Sequence, residues 1–200
     1  MYQRLIKSYP YPLYLLSLCM MLVGLPLGRA LMSIGIGVMA SAALLEGVWE
    51  DKLRRLRRRP FAVWLSGFAL VFILSIAYSE NVQAGFTTFL MYLPVLIIPI
   101  SVALFPPLPV VWRKRLVWLF ILACLTATIL SILIGAWQSI QAGEAFRFHY
   151  FYYSQLTSYL RLHPAYFTLF IGLAIWGLYW WVGEQLRAKE SVNWYRMMAL

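Results

Sequence analysis

Both histidines of this chain, and two of its arginines, lie within one aromatic stretch. Ala145-Phe146-Arg147-Phe148-His149-Tyr150-Phe151-Tyr152-Tyr153 is followed, after a short polar interval, by Arg161-Leu162-His163-Pro164-Ala165-Tyr166-Phe167. Seven of the nine residues in 145–153 are aromatic when His149 is counted, a density with two chemical uses. Aromatic faces pack on sugar rings, and arginines grip phosphate or diphosphate oxygens through paired hydrogen bonds. The plainer reading is an interfacial belt, where Tyr and Trp sit at the level of lipid headgroups. Pro164 suits the first turn of a helix, where its missing N–H is not needed. That makes His163 the residue at the helix entrance, near its positive end, able to bind an anion, meet a sugar hydroxyl or cap the helix. Arg147, Arg161 and His163 are therefore the candidate substrate-binding residues.

Other chemistry has little to work with. The sequence has no G-x-x-x-x-G-K-[ST] phosphate loop, no H-E-x-x-H, no C-x-x-C and no G-x-S-x-G elbow. Its one aspartate, Asp51, stands among arginines, so a carboxylate relay across the membrane lacks its parts. No metal or cofactor site is expected. Cys19 and Cys124 sit in apolar runs and read as lipid-buried free thiols.

The elements that must position the aromatic stretch are set by composition. Of 200 residues, 62% are hydrophobic and only 12% charged, with a mean hydropathy of +0.74, which excludes an ordinary soluble enzyme or a disordered chain. Six apolar runs, near 10–27, 30–49, 61–78, 84–104, 116–136 and 163–183, each approach the roughly 20 residues needed to cross a bilayer. Open strands cannot span lipid, so the fold class is all-α: a polytopic transmembrane helix bundle of about six spans, one domain over 1–200. The first run is not a signal peptide, because the second follows almost at once after Gly28-Arg29.

With the N-terminus in the cytoplasm, 14 of the 17 basic residues fall inside. They are Arg4, Lys7, Lys52, Arg54, Arg55, Arg57, Arg58, Arg59, Arg113, Lys114, Arg115, Arg187, Lys189 and Arg196. Only Arg29, Arg147 and Arg161 fall outside. This bias orients the bundle and accounts for most of the +10 net charge. It also makes anionic lipid, not nucleic acid, the expected partner of the basic loop 50–60. Segment 137–162 is then a long periplasmic loop, the kind that carries function. Ser33, Gly37 and Ser41 space small residues for close helix packing. Pro94 and Pro99 are expected to bend the fourth span.

Several stretches resemble the N-terminal half of the O-antigen ligase and O-antigen polymerase family. They are Leu74-Ser75-Ile76-Ala77-Tyr78-Ser79-Glu80-Asn81, then Ala84-Gly85-Phe86-Thr87-Thr88-Phe89-Leu90-Met91-Tyr92-Leu93-Pro94. His163-Pro164-Ala165-Tyr166-Phe167-Thr168-Leu169-Phe170 is similar to the His-Pro-x-Tyr-Phe segment of Bacteroidetes-type members. The resemblance implies a metal-independent enzyme of the bacterial inner membrane, with about a dozen spans, that assembles cell-surface polysaccharide such as lipopolysaccharide. Such an enzyme moves glycan from a polyprenyl-diphosphate carrier to a lipid or glycan acceptor. Arginines hold the departing diphosphate, and a histidine in a later periplasmic loop helps to activate the acceptor. The catalytic residues are accordingly expected beyond residue 200, and the 200-residue chain alone is expected to be inactive. Two other classes stay open: a non-catalytic membrane scaffold, and a small transporter or flippase-like protein.

Overall fold

The computed structural model describes residues 10–78, 82–141 and 162–198, and within them the chain forms seven α-helices and no strand. They are α1 (Pro10–Leu27), α2 (Arg29–Leu45), α3 (Trp49–Arg57), α4 (Pro60–Ala77), α5 (Val82–Leu104), α6 (Val110–Gln141) and α7 (Pro164–Met198). Four are long and apolar enough to cross a membrane: α1, α5, α6 and the stretch Pro164–Leu186 of α7. α2 and α3 together provide a fifth candidate if the bent pair is one span, and α4 is apolar along Pro60–Ala69. Each boundary has a local cause. Prolines open α4 and α7 at the first helical position, where no N–H is required. Pro106-Pro107-Leu108-Pro109 ends α5, since each proline lacks a donor and pushes its predecessor out of helical geometry. α5 itself runs through both Pro94 and Pro99.

The expected span 30–49 is divided. α2 stops at Leu45, Gly47 takes a left-handed φ of 46°, and α3 leaves at a bend of 116°. Gly47 is the residue that permits this turn, since a Cβ is strained at that φ. α3 carries Glu50 and Asp51 in its first turn and Arg54, Arg55 and Arg57 in its last, the placement that complements a helix dipole. The reading of 50–60 as a loop is corrected by this helix.

The chain divides into two compact units, Met1–Met21 with Ser33–Leu108, and Leu22–Met32 with Pro109–Leu200. In the first, α4 and α5 run antiparallel: Ser66 Oγ donates to the Leu96 carbonyl at 3.3 Å, and Arg59 reaches Val102 and Ala103 at the other end. Tyr14 of α1, 2% exposed, stacks on Phe105 with ring centroids 4.0 Å apart. Gly35 lies against Met21, where a Cβ would stand 2.8 Å from the Met21 side chain.

In the second unit, α6 and α7 pack antiparallel. Trp118 meets Trp181 edge to face at 5.0 Å, Gly177 faces Val117, and the Cys124 thiol lies 3.7 Å from the Phe170 carbonyl. The buried face of α6 repeats small residues every fourth position, at Ala123, Ala127, Ser131, Gly135 and Ser139. With little hydrophobic drive between helices in lipid, small residues such as Ala127 on this face let α7 approach closely.

Candidate functional site

His163 stands at the N-terminal end of α7, exposed, immediately before Pro164. Its carbonyl accepts the Tyr166 N–H at 3.0 Å and the Phe167 N–H at 3.3 Å, which opens the helix. Its ring turns the same way: Nδ1 accepts the Ala165 N–H at 3.3 Å, satisfying one of the four donors that a helix start leaves over. An Nδ1 that accepts places the proton of the neutral imidazole on Nε2. Tyr166 lies edge-on to the imidazole, ring centroids 6.2 Å apart.

What fixes this helix start is the packing one turn below. Phe167, 4% exposed, is buried against the fully buried Ala127 of α6, with Leu27, Leu162 and Ile171 around them. Ala127 gives the Phe167 ring room; a larger residue there would displace the turn that carries His163. Of the three candidate residues, His163 alone falls among those described; Arg147 and Arg161 lie outside them.

No protein-family model, curated protein or solved structure matches this chain. The site therefore has to be read from its own chemistry.

A second polar cluster lies in the first unit, where the sequence alone reads Glu46, at the inner end of the second apolar run, only as an interfacial group close to the arginines. Lys52 is 1% exposed; its Nζ donates to the Leu44 carbonyl at 2.9 Å and sits 4.4 Å from the Trp49 ring centroid. Leu44 is in the last turn of α2, where carbonyls lack helical partners, so the ammonium caps the negative end of that helix. Arg59 does the same for α5, its Nη1 donating to Val102 at 2.9 Å and Ala103 at 3.3 Å. Arg55 Nη2 pairs with Glu46 Oε2 at 2.6 Å, their side chains 25% and 11% exposed. Three of the six cations in 50–60 are thus built into the fold, while Arg54, Arg57 and Arg58 stay exposed. The signal that marks this cluster is the amphipathic pattern of Trp49-Glu50-Asp51-Lys52-Leu53-Arg54-Arg55-Leu56-Arg57 directly after Gly47.

Proposed function

We propose that this chain is the N-terminal membrane portion of an enzyme of the O-antigen ligase and polymerase type. The enzyme acts at the bacterial inner membrane, where it moves a glycan from a polyprenyl-diphosphate carrier to an acceptor hydroxyl. In this reading the chain crosses the membrane about six times, starts in the cytoplasm and turns 137–162 to the outside. The observation that carries it is His163: exposed, at the positive end of an apolar helix long enough to cross a membrane, its imidazole held at the helix start by the Ala165 N–H. Arg147 and Arg161 join it as the groups that hold the departing diphosphate. Charge placed where negative charge grows lowers the barrier to transfer, and a helix N-terminus adds to it.

The test is glycan transfer in cells that lack the native gene, with Arg147, Arg161 and His163 each replaced by Ala at matched membrane levels. A charge-assisted contact to diphosphate is worth roughly 1.5–3 kcal/mol, so each loss is expected to cut transfer about tenfold to a hundredfold. Near-normal transfer for all three would leave the alternative, a non-catalytic polytopic scaffold. The buried small-residue seam of α6 is the feature that favours it.

A further inference from the structure

α3 carries charge on six of its nine residues, too many for a helix sunk in hydrocarbon, yet one of its edges is apolar. Trp49, Leu53 and Leu56, at spacings of four and three, share that edge. Trp49 is 63% exposed and Leu53 is exposed beside it; Leu44, Leu45 and Val48, which lead into α3, are exposed as well. Lys52 and Arg55 reach back to the end of α2, to the Leu44 carbonyl and to Glu46, and so fix how the helix is turned. Next to Leu53 lies a recess of about 440 Å³, bordered by Glu50, Arg54, Arg57 and Arg58. It sets three guanidinium groups against one carboxylate; Asp51, also exposed, stands 3.9 Å from Arg54. α3 joins the end of α2 to the start of α4, both apolar, and is turned 116° from α2, closer to perpendicular than to parallel.

We infer that α3 is an in-plane membrane anchor, seated in the headgroup layer of an anionic leaflet. Trp49 and Leu53 enter among the first acyl carbons, and lipid phosphate takes the recess of Arg54, Arg57 and Arg58. A helix with an apolar edge and a cationic flank is the kind that lies in the interface, and Trp is a residue that prefers headgroup level. The excess of guanidinium groups in the recess favours an anionic leaflet over a neutral one, because paired N–H donors match phosphate oxygens. The apolar edge separates this anchor from a purely electrostatic contact of the basic segment, which has no use for an exposed Trp49 or Leu53. A second copy is the poorer occupant, since a two-fold contact over this edge would bring the same arginines towards each other. Because α3 holds the end of α2 through Lys52 and Arg55, and Arg59 just after it binds the end of α5, the anchor sets the depth of both helices. The inference does not depend on the glycan-transfer reading.

The test places a nitroxide spin label at Leu53→Cys in the full chain, with Cys19→Ala and Cys124→Ala, in liposomes of equal phosphatidylglycerol and phosphatidylcholine. Collisions with oxygen, which concentrates in hydrocarbon, are compared with those of a water-soluble nickel chelate. Oxygen access is expected to exceed nickel access at Leu53→Cys, and the order to reverse at Asp51→Cys on the polar face. In phosphatidylcholine alone, nickel access at Leu53→Cys is expected to rise about fivefold or more, the scale of one basic residue at an anionic surface. Arg54→Gln, Arg57→Gln and Arg58→Gln together, which leave the contacts of Lys52, Arg55 and Arg59 in place, are expected to give the same rise in the mixed liposomes. A label at Met91→Cys, exposed on α5, is expected to keep its oxygen access throughout, as an intact bundle requires. Nickel access above oxygen access at Leu53→Cys in the mixed liposomes overturns the proposal. So does a label there that neither reagent reaches, which would mean that protein covers the edge. Equal access in the two lipid compositions also overturns it, since the edge would then insert without help from phosphate. The lipid comparison leaves the arginines unchanged, so it decides the matter even where the triple variant misfolds.

Discussion

Replacing His163 with alanine removes two things at once, a helix cap and a ring Nε2–H. Asparagine keeps the cap, because its side-chain oxygen still accepts from the Ala165 N–H, but puts a shorter amide where the imidazole ring was. His163→Ala is expected to lower thermal stability by about 0.5–2 kcal/mol, the usual cost of a lost N-cap, and His163→Asn by less. If His163 touches substrate, both variants lose glycan transfer alike; transfer that follows stability, with the Asn variant near wild type, would assign the histidine to capping alone. The Glu46–Arg55 pair calls for a different comparison. Arg55→Ala strands a nearly buried carboxylate, so a loss of about 2–3 kcal/mol is expected in detergent-solubilised protein. Arg55→Ala with Glu46→Gln is expected to recover part of it, since no charge is then left without a partner. A single variant as stable as wild type would show the pair to be solvated. The sequence exposed the first of these sites, and of the second only that Glu46 lies close to an arginine cluster, not which arginine it meets. His163-Pro164 announces a helix entrance by local chemistry, whereas Glu46 and Arg55 are brought together by a turn that no short motif encodes.

At the scale of elements, the apolar runs were legible because lipid allows few alternatives: 18 or so apolar residues in succession become a helix. The helices begin within a few residues of the runs, at Pro10, Arg29, Pro60, Val82, Val110 and Pro164. The break between α2 and α3 was not legible. Val48 and Trp49 continue the apolar character of the run, and only the left-handed Gly47 divides it. Helix ends ran longer than the runs for a related reason: α6 begins six residues before residue 116, taking in Arg113, Lys114 and Arg115, because charged residues suit a helix well once it has left the hydrocarbon. Close approach is equally hidden in composition, as Gly24 illustrates. A Cβ there would fall 2.5 Å from the Met32 backbone nitrogen, while one at Gly37 meets nothing within 4 Å. Gly24→Ala is expected to destabilise by about 1–3 kcal/mol, since backbone must move to admit the methyl group. Gly37→Ala is expected to be neutral or to stabilise by up to about 1 kcal/mol through helix propensity. Thermal unfolding of the two variants in one detergent checks the contrast, and equal shifts would remove the close approach as its cause.

For the whole molecule, the prediction is one of orientation. If all six apolar runs cross the membrane and the N-terminus lies inside, the basic residues divide 14 to 3, and such a bias would set which loops stay in the cytoplasm. The folded contacts complicate the usual test, because Lys52, Arg55 and Arg59 serve as helix caps or ion-pair partners as well as topological signals. Removing them would change folding and orientation together. Arg54, Arg57 and Arg58 are exposed and allow the two to be separated. Reporter fusions within 137–162 are expected to read as periplasmic, and fusions within 50–60 and 105–115 as cytoplasmic. Replacing Arg54, Arg57 and Arg58 together by Gln leaves eleven basic residues inside against three outside, so the same pattern is expected to persist. Adding Lys114→Gln and Arg115→Gln narrows the margin further and is expected to produce mixed orientation before it produces inversion, since the charges act as a sum over short loops. Cytoplasmic activity of the 137–162 reporter in the unaltered chain would refute the orientation. His163 would then face the compartment without the periplasmic acceptor, and the glycan-transfer reading would fall with it.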